Sequence, residues 1–540
     1  MKNLLANKVL AWVFLGSCLF GSAVAQAQDE QEEKSKFLPG KTSLKAGESR
    51  LEPFAIEGDL KILKGVIAVP ENRRSSTSRN IKLYFYQIKS PNPSGLAPVV
   101  FLPGGPGGFY NDDWIKGMPN TNRRSGSIFE AQQFLKNRDV VLVNQRGARF
   151  PDRSFWMFYF MSPGGSARRT RTNADYADAI RKGFQGAVKH WTQQGMDLSG
   201  YDIANMVEDI NDVRKSLDYE KVVLRGNSFG SQWSLAFIRQ YPHHVDRAIL
   251  GGVEPLDYGY DSHEGVWNVF TRLSAEVDTA RDAGFQCPDV SLTEAIKEIV
   301  NRLEEKTVDV ELEQDDGRTK TIPVGADDFR NLLRAGIRGK QPLRKNLQVL
   351  PKFIYEVYEK DYRFLALRGA EARSRPVGGS MQSVLIDNSL GISDARDQRL
   401  TQEPARKWLG ELNLIYKATR DDSPTPVISD EFRKLNSDVP ILMIQGDYDL
   451  KTPFENAEEL LSDVSYGHLI RVHGGTHSAV DEVKRHDDQF MSKIELFLNS
   501  DLSDAEKIKS LYSKLPKKYH LPKLEFESMD RPLYVELKDK

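Results

Sequence analysis

The chain has little cysteine. Of 540 residues only Cys18 and Cys287 are cysteines, and only Cys287 lies beyond the first 27 residues. Without Cys18 no intramolecular disulfide is available, so the fold must rely on its apolar core. Cys287 has no His or Asp motif around it and reads as an inert thiol. Charge of one sign is also missing: 75 Lys and Arg face 76 Asp and Glu, a formal net charge of −1. With no basic stripe, nucleic acid is excluded as a partner. The nine histidines are scattered and no H-E-x-x-H occurs, so neither a metal nor another cofactor is expected. His243-His244 reads as solvated. No internal repeat is apparent, and no apolar run reaches the roughly 20 residues that cross a bilayer.

The run Val9 to Phe20 is shorter than that, and Lys2 and Lys8 precede it. Ala23-Val24-Ala25 and Ala25-Gln26-Ala27 offer small-x-small cleavage sites, and a charged stretch from Gln28 to Lys36 follows. This pattern predicts a signal peptide over 1–27, export to the periplasm or medium, and no stable membrane insertion afterwards. Leu15-Gly16-Ser17-Cys18 resembles a lipoprotein box. Cys18 is followed by apolar residues where a polar tether would stand, which makes that the minor alternative.

One stretch organises the rest. The apolar run Val222-Val223-Leu224 leads into Gly226-Asn227-Ser228-Phe229-Gly230, and Gln232 to Tyr241 reads as helix. Strand, tight turn and helix are the setting in which G-x-S-x-G presents a nucleophilic serine. Upstream, Ile62 to Val69 and Ile81 to Ile88 read as strands. The apolar strand at Pro98–Leu102 runs into Gly104-Gly105-Pro106-Gly107-Gly108, and Asp139–Val143 into Asn144-Gln145-Arg146-Gly147. Ile203 to Leu217 has helical spacing. Ala248–Val253 is a strand ending in Glu254-Pro255. Such alternation predicts a mostly parallel sheet covered on both faces.

From Leu256 to Asp438 the alternation stops. Thr293–Leu303, Phe353–Leu367 and Ala405–Thr419 read as helices, too much for a loop. Strands resume at Val439–Ile444 and His468–Val472, and a helix from Asp481 to Leu498 follows. The fold class is therefore α/β: an α/β-hydrolase sheet core with a large inserted helical cap domain. Its expected parts are a signal peptide (1–27), a first core part (28–255), the cap (256–438), a second core part (439–500) and a tail of no assigned role (501–540).

Ser228, Asp449 and His477 each follow a strand, in the chain order of an α/β-hydrolase triad. Ser228 would be the nucleophile, His477 its base, and Asp449 the group that fixes the imidazole tautomer. Asp447 and His473 are rivals in the same loops, and a helix N-cap is the bland role for Asp449. The glycine turn has no Gly-Lys-Ser/Thr, and Pro106 lacks an N–H, so it is no phosphate loop. It suits an oxyanion hole built from the backbone N–H of Gly105 and that of Phe229.

With these residues placed, the chain resembles the proline iminopeptidase and tripeptidyl aminopeptidase family of serine peptidases. The likeness rests on Gly104-Gly105-Pro106-Gly107, Gln145-Arg146-Gly147, Gly226 to Gly230, Gly446 to Pro453 and Gly475-Thr476-His477. It covers about residues 62–253 and 439–498. In that family the aspartate three residues before Thr-Pro and the histidine after a Gly-x pair are the catalytic ones. That implies Asp449 and His477. Pro103 and Asn144 depart from the histidine and aspartate usual in proline iminopeptidases, and the large cap and leader are closer to the tripeptidyl branch. The resemblance implies peptide substrates cleaved near a free N-terminus, with acids gripping the amine; Glu254 and Asp387 are the candidates. A carboxylesterase with the same triad is the first alternative, and an inactive binding protein on a hydrolase scaffold the second. Epoxide hydrolase or dehalogenase chemistry would put aspartate where Ser228 stands.

Overall fold

The structure, a computed structural model, describes residues 41–56, 59–118, 127–148, 157–160, 170, 172–314, 316–334, 343–374, 377–487 and 489–538. The expected signal peptide and Cys18 lie outside them. Fourteen strands occur among the described residues. They are β1 (Ser49–Pro53), β2 (Ile62–Pro70), β3 (Asn80–Ile88), β4 (Val99–Leu102), β5 (Val140–Val143), β6 (Met157–Phe160) and β7 (Val222–Asn227). Then come β8 (Val245–Gly251), β9 (Val308–Glu313), β10 (Thr319–Val324), β11 (Val377–Ser380), β12 (Ile441–Gly446), β13 (Gly467–His473) and β14 (Lys518–His520).

Ten of them form one sheet in the order β1-β2-β3-β5-β4-β7-β8-β12-β13-β14. From β5 onward all neighbours run parallel, while β1, β2 and β3 pair antiparallel. The central strands are mainly apolar because both faces are covered. In β7, Val222 and Leu224 join one core and Val223 the opposite one, as the two-residue period of a strand requires. The first core includes residues of the helices Asn173–Gln193, Ile203–Ser216 and Phe229–Gln240; the second, of Ala479–His486 and Phe490–Asn499. A third apolar cluster, centred on Phe270, Ile299, Phe329 and Phe353, holds most of the inserted segment together. Trp233 is fully buried and gives its indole N–H to Met206 O at 3.0 Å.

Five expectations need correction. The stretch Phe353–Leu367 is two helices, Leu343–Tyr358 and Arg363–Ser374, parted where Lys360 takes φ +71°. Ala405–Thr419 is likewise broken, at Gly410 with φ +72°, and Asp481–Leu498 spans two helices, Ala479–His486 and Phe490–Asn499. The inserted segment is not purely helical: β9 and β10 form a hairpin, and β11 pairs with β6. In β9, Val308, Val310 and Leu312 alternate with Asp309, Glu311 and Glu313, a two-residue period that marks a half-buried strand.

The fifth concerns 501–540. β14 extends the main sheet by pairing parallel with β13. The helix Leu533–Lys538 then buries Leu533 and Tyr534 in the cap's apolar cluster. The Leu533 amide donates to Glu356 at 2.9 Å, and Lys352 pairs with Glu536 at 2.6 Å. Core and cap thus share the segment expected as a tail. Among the described residues no helix is long and apolar enough to cross a membrane.

Candidate active site

Six loops leave the C-terminal ends of parallel strands and meet: those after β4, β5, β7, β8, β12 and β13. This is where open α/β sheets build sites. Ser228 follows β7 and is the N-cap of the helix Phe229–Gln240, with φ +58° and ψ −137°. Few non-glycine residues adopt such a conformation, and it is held here by close packing on both sides. A Cβ on Gly226 would sit 2.1 Å from Gly230 O, and one on Gly230 2.3 Å from Leu102 O. The Ser228 amide donates to Gly251 O at 3.0 Å. Gly252, at φ +51°, packs between nucleophile and base: a Cβ there would lie 2.9 Å from His477 Cε1 and 3.0 Å from the Ser228 nitrogen. Ser228 and His477 therefore flank one glycine. Among the described residues Ser228 Oγ makes no hydrogen bond within 3.5 Å, a looseness common before substrate binds.

His477 Nδ1 lies 2.8 Å from Asp449 Oδ2. Asp449 is fully buried and takes four further donors. The Thr452 hydroxyl (2.6 Å) and Gln445 Nε2 (3.2 Å) reach Oδ2, while the amides of Lys451 (2.8 Å) and Thr452 (3.0 Å) reach Oδ1. Burial works to raise its pKa; the His477 charge and the donors from His477 and Thr452 outweigh it, so Asp449 is held below the usual carboxylate range. The helix that follows, Phe454–Ser462, is not capped by Asp449. The rivals pair with each other: His473 Nδ1 is 2.9 Å from Asp447 Oδ2, which also takes Arg471 Nε, while Oδ1 accepts the Gly474 amide.

The glycine turn after β4 packs on the serine. A Cβ on Gly104 would approach Ser228 Cβ to 3.2 Å. Gly104 O accepts from the Gly108 amide (3.1 Å) and from Gln145 Nε2 (3.1 Å). In a trans peptide the N–H points opposite to the C=O, so these two bonds aim the Gly105 N–H the other way. Among the described residues neither that N–H nor the Phe229 N–H, first in its helix, has a partner. Two free donors beside a serine hydroxyl are the parts of an oxyanion hole.

Glu254 follows β8 and is half-buried; its amide donates to Ser231 Oγ at 2.9 Å. Burial, then the charges of Asp387, Asp261 and Asp449, push its pKa well up. Asp387 comes from the cap helix Met381–Leu390 and is 7% exposed, with Oδ2 lacking any hydrogen-bond partner. Burial raises its pKa well above the ordinary value, an effect the Tyr416 hydroxyl only partly offsets. The two acids thus belong to one electrostatic cluster that reaches Asp449.

Gln145, Gln445, Thr452 and Tyr416 bond to site groups, and Asp261 acts on the two acids through its charge; the sequence reading assigned none of these. Gln145 stood inside a recognised motif, and Thr452 inside the Thr-Pro pair that marks Asp449. Gln445 is an interior strand residue; being polar at the end of an otherwise apolar run was its only signal. Tyr416 and Asp261 sit in the cap, where nothing in the sequence distinguishes them.

This sheet order, crossover and elbow define the α/β-hydrolase fold, and the chain has it. Residues 97–285 match the family described as alpha/beta hydrolase fold, and residues 418–496 the family described as TAP-like protein. No curated relative matches the sequence. Solved structures with some likeness include a serine hydrolase from the polyaromatic hydrocarbon-degrading bacterium Cycloclasticus zankles. It has 11% identity and a TM-score of 0.31, with 85% of this chain and 100% of that one covered. Another is the 2-hydroxy-6-oxo-6-phenylhexa-2,4-dienoate hydrolase of Rhodococcus sp. strain RHA1, at 14% identity and TM-score 0.31, covering 83% and 99%. A third is a putative lipase of Acinetobacter baumannii AYE, at 12% and 0.30, covering 84% and 92%. These likenesses carry no statement about activity.

Proposed function

We propose that the protein is a serine aminopeptidase that cleaves peptides near a free N-terminus through an acyl-enzyme. Ser228 Oγ attacks the scissile carbonyl carbon while His477 Nε2 takes its proton. The C–O bond forms and the carbonyl oxygen becomes an oxyanion facing the Gly105 and Phe229 N–H groups. Collapse breaks the C–N bond, and His477 returns the proton to the leaving amine. Water, deprotonated by the same imidazole, then releases the acyl group and restores Ser228. Each oxyanion donor contributes roughly 3 kcal/mol to the barrier reduction.

One observation carries the peptidase reading over a plain esterase. Near the triad sit two acids, Glu254 and Asp387, with no ion pair among the described residues; Asp387 Oδ2 has no hydrogen-bond partner, and burial pushes both pKa values up, an effect Lys451 and Tyr416 oppose only in part. An ammonium brought between them supplies the missing countercharge, and an ester without an amine has no use for it. A charge left unpaired in such a pocket costs several kcal/mol. The TAP-like match over 418–496 and the departures at Pro103 and Asn144 favour the tripeptidyl aminopeptidase branch over release of single proline.

The test is a matched pair of peptide substrates, one with a free N-terminus and one acetylated, assayed beside simple esters. Acetylation should cost roughly 2–5 kcal/mol of transition-state binding, or about 30- to 5,000-fold in kcat/KM. Equal cleavage of both members would leave the carboxylesterase in front. Export is the second part of the proposal, resting on the leader pattern. N-terminal sequencing of protein from the native host should start near Gln26 or Gln28, and a lipid on Cys18 would show the lipoprotein route.

A further inference from the structure

We propose that the cap helix Met381–Leu390 ties recognition of the substrate amine to assembly of the oxyanion hole, with Ser383 as the positioning residue. The coupling rests on the aminopeptidase reading; the role of Ser383 at the turn does not. Ser383 Oγ donates to Pro106 O at 2.6 Å, and Gly107 N, the other end of the same peptide unit, donates to Gln145 Oε1 at 2.5 Å. One peptide of the glycine turn is therefore gripped at its carbonyl by the cap and at its amide by the core. There is no slack at this contact. A Cβ on Gly107 would lie 2.8 Å from Ser383 Oγ, and Gln382 Nε2 also donates to Arg146 O at 2.6 Å. The free Gly105 N–H lies two peptide units back, on the 104–105 unit, and Gln145, which accepts the Gly107 amide, also donates to Gly104 O at 3.1 Å, so a shift of the 106–107 unit is passed to the donor that must meet the oxyanion.

Asp387 stands four residues after Ser383, one turn on, on the same side of the helix. The helix is buried along its length, and its far end is fixed where Ser389 Oγ accepts the Ile203 amide at 2.9 Å. A buried helix of ten residues moves as a unit. An ammonium that pairs with Asp387 therefore acts on the same rigid element that holds Pro106. The amine then contributes to the chemical step as well as to binding, which is how remote binding energy raises kcat.

The experiment compares Ser383→Ala, Ser383→Thr and Ser383→Cys in the full-length protein, each checked for an unchanged melting temperature. On p-nitrophenyl acetate, which has no amine, Ser383→Ala should lower kcat about tenfold with little change in KM. That is less than the 10²–10³ expected on deleting an oxyanion donor itself. Threonine, which keeps the hydroxyl, should restore most of the loss, and cysteine should fall between. On a free-amine peptide, Asp387→Asn should also lower kcat. The double variant should then be no more than about threefold below the worse single one, because the two residues act through one helix. Wild-type kcat for Ser383→Ala on the ester would overturn the role of Ser383. Kcat losses that multiply in the double variant would overturn the coupling. Failure of the aminopeptidase reading shows elsewhere, as equal cleavage of free and acetylated peptides by the unaltered protein. That outcome removes the coupling while the ester assay still decides the role of Ser383.

Discussion

Replacing Asp449 by asparagine changes one atom and should disable the base by turning its imidazole. Three side-chain groups converge on Oδ2, His477, Thr452 and Gln445, and two backbone amides converge on Oδ1. A carboxamide has one accepting oxygen and one NH2. The backbone amides of Lys451 and Thr452 cannot reverse, so the oxygen must face them and the NH2 must face His477. Thr452 can rotate its hydroxyl to accept. Gln445 cannot flip without losing two bonds, since it donates to Thr452 O at 2.6 Å and accepts the Val253 amide at 2.9 Å. The NH2 then donates to His477 Nδ1, which forces the imidazole proton onto Nε2. An Nε2 that carries a proton cannot take one from Ser228. The same exchange in a Ser-His-Asp protease costs about 10⁴ in kcat, or roughly 5 kcal/mol of barrier. The assay is kcat/KM on the best peptide amide, together with the rate of fluorophosphonate labelling at Ser228; both should fall by a similar factor. Stability gives an independent check. The Asp449 pKa is lower folded than unfolded, so its contribution is present above about pH 4, the unfolded value, and is lost as pH falls through the folded one. The asparagine variant should lack that part of the acid destabilisation. A variant within tenfold of wild-type turnover would refute the tautomer argument and the assignment of Asp449 with it.

Glu254→Gln and Asp387→Asn should act in the opposite sense on stability. Their pKa values are higher folded than unfolded, so the wild type loses stability as pH rises above about 4. Calorimetry should find both variants melting higher than wild type at pH 7–8, with the gain gone below pH 4; a gain that grows toward acid would contradict the cluster. Gly226→Ala puts a methyl 2.1 Å from a backbone oxygen and should cost roughly 3 kcal/mol or more, seen as a lost or sharply lowered melting transition. Leu533→Ala, at a site 1% exposed within the cap cluster, should cost about 2–5 kcal/mol and open the cap to limited proteolysis first. Cleavage starting in the sheet core would argue that this helix does not hold the cap.

The elbow, the mostly parallel sheet and the chain positions of Ser228, Asp449 and His477 were legible because each follows a strand: β13, before His477, alternates buried and half-buried residues, whereas β7 and β12, before Ser228 and Asp449, are buried on both faces. Such strands are continuous runs bounded by glycine, a pattern that survives without any knowledge of contacts. Choosing Asp449 over Asp447 was not legible from the residues alone. Both follow β12 in one turn, and the family likeness made the choice. Their separation is geometric: Asp449 turns back under Thr452 to meet His477, while Asp447 is spent on Arg471, His473 and the Gly474 amide. The cap was legible as an insertion but not in its interior, where the roles of Tyr416 and Asp261 are set by tertiary partners far along the chain. Residues 501–540 were illegible for a related reason. A three-residue strand on a sheet edge and a six-residue helix are both shorter than the windows in which periodicity speaks.

The second Asp-His pair has a consequence for chemical probing. His473 is 41% exposed and His477 only 15%, and each has a carboxylate within 3 Å of Nδ1, at 2.9 and 2.8 Å. A histidine-acylating reagent therefore meets two imidazoles similarly oriented by aspartate and reaches the more open one first. Modification counted by absorbance should run ahead of inactivation, with at least one imidazole acylated before turnover begins to fall. A substrate-competitive inhibitor should protect His477 alone. Anyone titrating the pair without that inhibitor would read the wrong histidine.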